Sequence, residues 1–153
     1  MIIQIIGKPC SGKSSFIKKY VQETSDSINY IWLDVAAQNT SYDKWLFAEN
    51  SILNYEFRSD ENYLVESISG FSYLKTLKNS FTIMFECNEK ERIIRAKRSR
   101  HELWNNNDLY YHDILISQSI RPDHIINTSS NSSYMYKKEA FESIIKKYQS
   151  LYS

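Results

Sequence analysis

Short apolar runs alternate with longer amphipathic stretches along the whole chain, and this alternation predicts strands and helices in turn. IIQII (Ile2–Ile6) is an apolar run closed by Gly7 and reads as a buried strand. Beyond Lys13, the residues Phe16, Ile17, Tyr20 and Val21 share one helical face. NYIWLDV (Asn29–Val35) reads as a second strand that ends at Asp34. Residues 41–57 place Trp45, Leu46, Ile52, Leu53 and Phe57 at helical spacing. NYLVESI (Asn62–Ile68) and FTIMFEC (Phe81–Cys87) give a third and a fourth strand. EKERIIRAKRSR is built from strong helix formers, Leu109–Gln118 is a further helix, and DHIIN (Asp123–Asn127) is a fifth strand. The polar patch NTSSNSSYMY (Asn127–Tyr136) reads as a loop. Phe141, Ile144, Ile145, Tyr148 and Leu151 then recur at the spacing of a closing helix.

Strands alternating with helices imply βαβ units. The expected architecture is a three-layer α/β/α sandwich around a five-stranded parallel sheet. In such sheets ligands bind at the carboxyl ends of the strands. The chain has 153 residues, so residues 1–153 are expected to form one domain.

Composition narrows the setting. Apolar residues make up 42% and charged residues 24%, a globular rather than a disordered balance. The formal charge of +1 argues against a polybasic nucleic-acid arm or an acidic tail, although Glu89–His101 is locally basic. Cys10 and Cys87 match neither a metal spacing nor a disulfide framework. With no leader-like start and no apolar run of membrane length, the expectation is a cytoplasmic protein without a membrane partner.

The first strand runs straight into GKPCSGKSS. Of only three glycines in the chain, Gly7 and Gly12 stand five apart, with Lys13 and Ser14 directly behind. This is the G-x-x-x-x-G-K-[ST] pattern. By chance it arises in about one chain of this length in 200, and here the strand before it and the helix after it are also present. Gly7, Lys8, Pro9, Cys10, Ser11, Gly12, Lys13, Ser14 and Ser15 are therefore the expected ATP-phosphate cradle. Lys13 reaches the outer phosphates, and Ser14 is placed to hold Mg²⁺. Cys10 lies among the loop amides, where it is either a reactive thiol or a bystander at a tolerant position. The Asn-Lys-x-Asp motif of a GTPase and the signature loop of a transport ATPase are both absent from the sequence.

The order of segments resembles that of small P-loop kinases: the adenylate-kinase-like nucleoside and nucleotide kinases and the dephospho-CoA kinases. It rests on the phosphate loop, Asp34, Glu66 in LVES, FTIMFECNEKERIIRAKRSR and DHIINTSS, and it spans residues 1 to about 131. The resemblance implies a P-loop NTPase fold with a short lid, residues 101–108, which cannot be of the zinc-bearing kind because it lacks cysteines. It implies a catalytic role for Arg95, Arg98 and Arg100, which stand where that family closes arginines over the phosphates. Guanidinium groups suit a phosphoryl group whose charge spreads over three oxygens. Arg92 and Arg121 are further candidates, and the competing interpretation is a solvated basic helix face. Glu66 takes the place of the strand-end acid that orients Mg²⁺, although the family more often carries Asp-Gly there. Asp34 corresponds to the acid that accepts the proton of an acceptor hydroxyl; otherwise it is a loop cap. Thr128 and Ser129 fall where such kinases hold the adenine, or else form an ordinary polar turn.

The expected function is transfer of the γ-phosphate of ATP to a hydroxyl of a nucleoside, nucleotide or coenzyme precursor. A phosphate acceptor would need cations, and between Asp34 and Glu66 only Lys44 and Arg58 supply them. Trp32, Tyr42, Trp45, Phe47, Tyr55 and Phe57 lie in the same region. Any of these rings could stack on a base, with Gln38 or Asn39 reading its edge, or belong to the core. His101, His112 and His124 show no ligand spacing. A nucleoside monophosphate kinase, a kinase of a hydroxylated base in DNA, and a non-catalytic nucleotide-binding regulator remain alternatives.

Overall fold

The computed structural model describes residues 1–35, 42–99, 115–129 and 132–152. The strands are β1 (Ile2–Ile6), β2 (Tyr30–Asp34), β3 (Asn62–Glu66), β4 (Ser80–Glu86) and β5 (His124–Asn127). The helices are α1 (Lys13–Thr24), α2 (Tyr42–Leu53), α3 (Phe71–Leu74), α4 (Glu89–Ser99) and α5 (Tyr134–Tyr152). The five strands form one sheet in the order β2-β3-β1-β4-β5, with every neighbouring pair parallel.

β1 is central and buried along its whole length, which is why it reads as an uninterrupted apolar run. Its side chains alternate between two cores. Ile3 and Ile5 pack with Phe16, Ile17 and Tyr20 of α1 and with Phe141 and Ile145 of α5. On the opposite face Ile6 packs near Trp45, Phe71 and Ile120, and Ile2 joins Ile52, Val65 and Leu74. The result is the expected helix–sheet–helix sandwich.

One polar residue interrupts the central strand. Gln4 is fully buried and satisfied: its amide donates to Ser67 O at 2.8 Å and Ser69 O at 3.1 Å, and its carbonyl accepts from Thr82 Oγ1 at 3.3 Å. The expected third strand therefore stops at Glu66, and Ser67–Ser69 form a loop held over the end of the sheet.

Several boundaries shift. The helix expected over residues 41–57 ends at Leu53, because Tyr55 and Phe57 leave it to pack their rings 5.8 and 5.0 Å from Tyr63 on β3. α3 was not anticipated; Gly70, at φ 75°, lets the chain turn into it, and a Cβ there would meet Ile52 at 2.5 Å. α5 begins at Tyr134, inside the stretch that reads as polar loop, with Ser133 Oγ accepting from Tyr136 N at 3.1 Å. The expected lid, Arg100, Gln38, Asn39, His101, His112 and most of the expected helix Leu109–Gln118 lie outside the described residues. Among the described helices none is long and apolar enough to cross a membrane.

Candidate active site

The loop between β1 and α1 is shaped by close contacts. A Cβ on Gly7 would stand 2.6 Å from both Phe85 O and Ser11 Oγ, so only glycine lets β1 leave the sheet there. Cys10 and Gly12 adopt left-handed backbone at φ 62° and 90°. For Cys10 this is a strained geometry rather than a tolerant position. α1 starts without any side-chain cap, so its first amide groups stay available, as an anion site at a helix N-terminus requires.

Lys13 folds back over this loop. Its ammonium donates to Gly7 O at 2.5 Å, Lys8 O at 3.2 Å and Ser11 Oγ at 3.4 Å. Burial pushes its pKa down to about 8, against the pull of the Glu66 charge.

Beside it, Ser14 Oγ donates to Glu66 Oε1 at 2.5 Å, and Trp32 Nε1 donates to Glu66 Oε2 at 3.2 Å. Glu66 is 2% exposed, and burial raises its pKa. The neighbouring Asp34 charge adds to that rise, while Ser14, Lys13 and Trp32 oppose it. A hydroxyl and a carboxylate are the hard oxygen donors that suit Mg²⁺, an ion usually held by one or two protein groups with phosphates and water completing its shell. The Ser14–Glu66 pair fits that ion. Asp34 pairs in register with Glu66 at the carboxyl ends of β2 and β3 and is itself exposed.

Downstream segments brace the loop. Arg92 is buried and donates from Nε to Pro9 O at 3.1 Å. Arg95 donates to Cys10 O at 3.4 Å, to Glu91 at 3.3 Å and to Thr128 O. Thr128 is fully buried, its hydroxyl donating to Ser11 O at 2.5 Å, and Ser129 Oγ accepts from Asn88 N at 3.0 Å. Lys13, Ser14, Glu66, Asp34, Arg95 and Thr128 are thus gathered around one loop. Arg98 is exposed on α4 and Arg121 is exposed before β5. Arg58 sits in the turn before β3, at the opposite end of that strand from Glu66, ion-paired to Asp60 at 3.1 Å.

A cavity of about 530 Å³ opens beside the loop, between Gly12, Lys13, Ser15, Arg95, Tyr134 and Lys137. Its volume is that of a nucleotide-sized pocket. A smaller one of about 300 Å³ lies on the β4 side, against Gly7, Lys8, Cys87, Arg92 and Leu115.

Sequence reasoning overlooks Tyr134 and Lys137, and it gives Trp32 no role beside Glu66. Trp32 was weighed as a base-stacking ring, yet it lies two positions before Asp34, and strand alternation puts both on one face. Tyr134 and Lys137 were hidden inside or next to the polar patch, and only their helical spacing of three could have revealed them.

No family model matches the sequence, and comparison with curated proteins finds no match. Among solved structures, a shikimate kinase from Bacteroides thetaiotaomicron superposes with TM-score 0.65 at 11% identity, covering 95% of this chain and 98% of that one. A shikimate kinase from Aquifex aeolicus gives 0.57 at 15% identity, covering 96% and 98%. A sugar kinase from Janibacter gives 0.55 at 13% identity, covering 92% of each chain. The chain shares the fold of these solved kinases, an α/β/α sandwich around a parallel sheet.

Proposed function

We propose that this chain is an ATP-dependent phosphotransferase acting on a hydroxyl of a small molecule, of the nucleoside, nucleotide or coenzyme-precursor kind. The observation that carries the reading is the rung Asp34–Glu66, which sets an exposed carboxylate beside buried Glu66 and its partners Lys13 and Ser14 at the carboxyl edge of the sheet. The structural neighbours named as shikimate and sugar kinases are consistent with it, since both names denote hydroxyl-bearing acceptors.

The loop amides and the uncapped start of α1 hold the donor phosphates, and Lys13 exchanges its bonds to Gly7 O and Lys8 O for the outer phosphate oxygens. Ser14 and Glu66 would hold Mg²⁺, which when bound neutralises charge on the phosphate oxygens. Asp34 orients the acceptor and takes its hydroxyl proton. The acceptor oxygen then bonds to the γ-phosphorus as the bond to the bridging oxygen breaks and ADP leaves. Arg95 lines the donor cavity, and Arg98 and Arg100 are the proposed further arginines on the transferring group. Thr128 and Ser129 close the donor side by fixing the loop.

A monophosphate acceptor is less well served, because Arg58 is remote from Glu66 and ion-paired. Transfer of labelled phosphate from ATP with Mg²⁺ to a panel of nucleosides, sugars, shikimate, dephospho-CoA, monophosphates and hydroxylated DNA tests the reading. Product with a hydroxyl acceptor, lost in Lys13→Ala, supports it. Transfer only to monophosphates, or to nothing, overturns it in favour of a monophosphate kinase or a nucleotide-binding regulator.

A further inference from the structure

We propose that the far end of the donor cavity reads the nucleobase through hydrogen-bond donors, with the Lys137 ammonium foremost, and so takes guanine-type triphosphates at least as well as ATP. The inference rests on the donor-site reading above and sharpens it.

The wall in question comes from the start of α5. Tyr134 and Lys137, three apart, share one helix face and line the cavity together with Gly12 and Lys13. Tyr134 is held in place: its hydroxyl donates to Glu23 at 2.7 Å, its ring lies 5.7 Å from that of Phe16, and Lys19 Nζ sits 4.0 Å from the ring centre. Of the side chains on this wall and its surroundings, Lys19 is engaged over the Tyr134 ring and Arg95 with Glu91, so Lys137 is the cation set to meet a ligand there.

Among the described residues, carboxylates are missing from the same place. Among the described residues lining the cavity none is Asp or Glu. Glu23 is engaged by Tyr134 and Lys138, and Glu91 by Arg95. Among the described residues after β5, Thr128 O accepts from Arg95, and Ser129 O accepts from Ser132 N at 2.9 Å and Ser132 Oγ at 2.6 Å. Lys137 forms no ion pair with a described carboxylate, and burial together with the Arg95 charge depresses its pKa. An acceptor atom brought by a ligand relieves both costs.

Base chemistry then decides between the purines. Guanine presents O6 and N7 as adjacent acceptors, whereas adenine pairs N7 with an amino donor. An ammonium is donor-only, so it meets two acceptors on guanine and one acceptor and a repelling N–H on adenine.

Calorimetry of the full chain with Mg²⁺ and inorganic tripolyphosphate, ATP or GTP tests this. GTP should bind at least as tightly as ATP. Lys137→Met should weaken GTP roughly tenfold, the size of one good polar base contact, while tripolyphosphate binding stays unchanged. Lys137→Arg should keep the GTP preference, and Lys137→Gln, which adds an acceptor, should shift it toward ATP. Wild-type ATP binding tighter than GTP, or a GTP-to-ATP ratio unmoved by Lys137→Met, overturns the inference. In either case retained tripolyphosphate binding leaves the phosphate loop standing. Loss of tripolyphosphate binding in the wild type removes the donor site and this inference together.

Discussion

Asp34 and Glu66 face each other across one rung of the β2–β3 ladder, yet Asp34 is exposed while Glu66 is 2% exposed. Side chains paired in register share a face of the sheet, so one rung carries two carboxylates in opposite environments. The buried one is bonded to Ser14 and Trp32, and the other is exposed.

Asp34→Asn keeps the shape and removes the proposed base. With a hydroxyl acceptor, kcat should fall by about 10²–10⁴-fold, with donor KM little changed. Steady-state kinetics checks this, and a near-normal rate would remove Asp34 from proton transfer.

Glu66→Gln exchanges a costly buried charge for a neutral amide. The ligand-free protein should melt at a higher temperature while Mg²⁺-dependent transfer collapses. Trp32→Phe deletes only the indole N–H that orients Glu66, and should weaken Mg²⁺ dependence by about 10–100-fold, as loss of an outer hydrogen-bond partner does. Magnesium titration of activity, paired with thermal melts, separates the two.

Lys13 supplies the pH dependence. Its ordinary pKa of 10.5 drops to about 8 in the folded, ligand-free protein, so between these values the unfolded chain holds more protons. Stability of the ligand-free protein should therefore rise as pH increases from 8 to 10. Donor phosphates favour the charged amine, so binding above pH 8 should take up a proton and weaken as pH rises. Calorimetry at pH 7 and 9 in buffers of different ionisation heat measures this, and Lys13→Met should abolish it.

Thr128→Val removes the hydroxyl that donates to Ser11 O and leaves that buried carbonyl without it. The expected cost is about 1–3 kcal/mol of stability by denaturant titration. Donor KM should rise while kcat with saturating donor holds, because the residue shapes the loop from behind.

The donor half was legible because its constraints are local. The close approach at Gly7 and the left-handed backbone at Gly12 demand glycine, and the order of apolar runs encoded the sheet. What escaped depended on distant partners. Trp32 reads as core until Glu66 is seen beside it. Ser133 reads as loop until Tyr136 N donates to it and α5 begins. Tyr55 and Phe57 fit a helical spacing but find more contact on Tyr63. Gln4 looks like a defect in a strand until the carbonyls of Ser67 and Ser69 arrive from across the sheet.

The bracing of the phosphate loop has a consequence for the chain as it is made. Pro9, Cys10 and Ser11 take their partners from 83, 85 and 117 positions downstream. A nascent chain that has emerged only through β4 carries the entire motif but not the contacts that set its curvature. On the proposed function, nucleotide capture becomes a late event in biosynthesis, and bound nucleotide would report that the last strand has taken its place at the edge of the sheet.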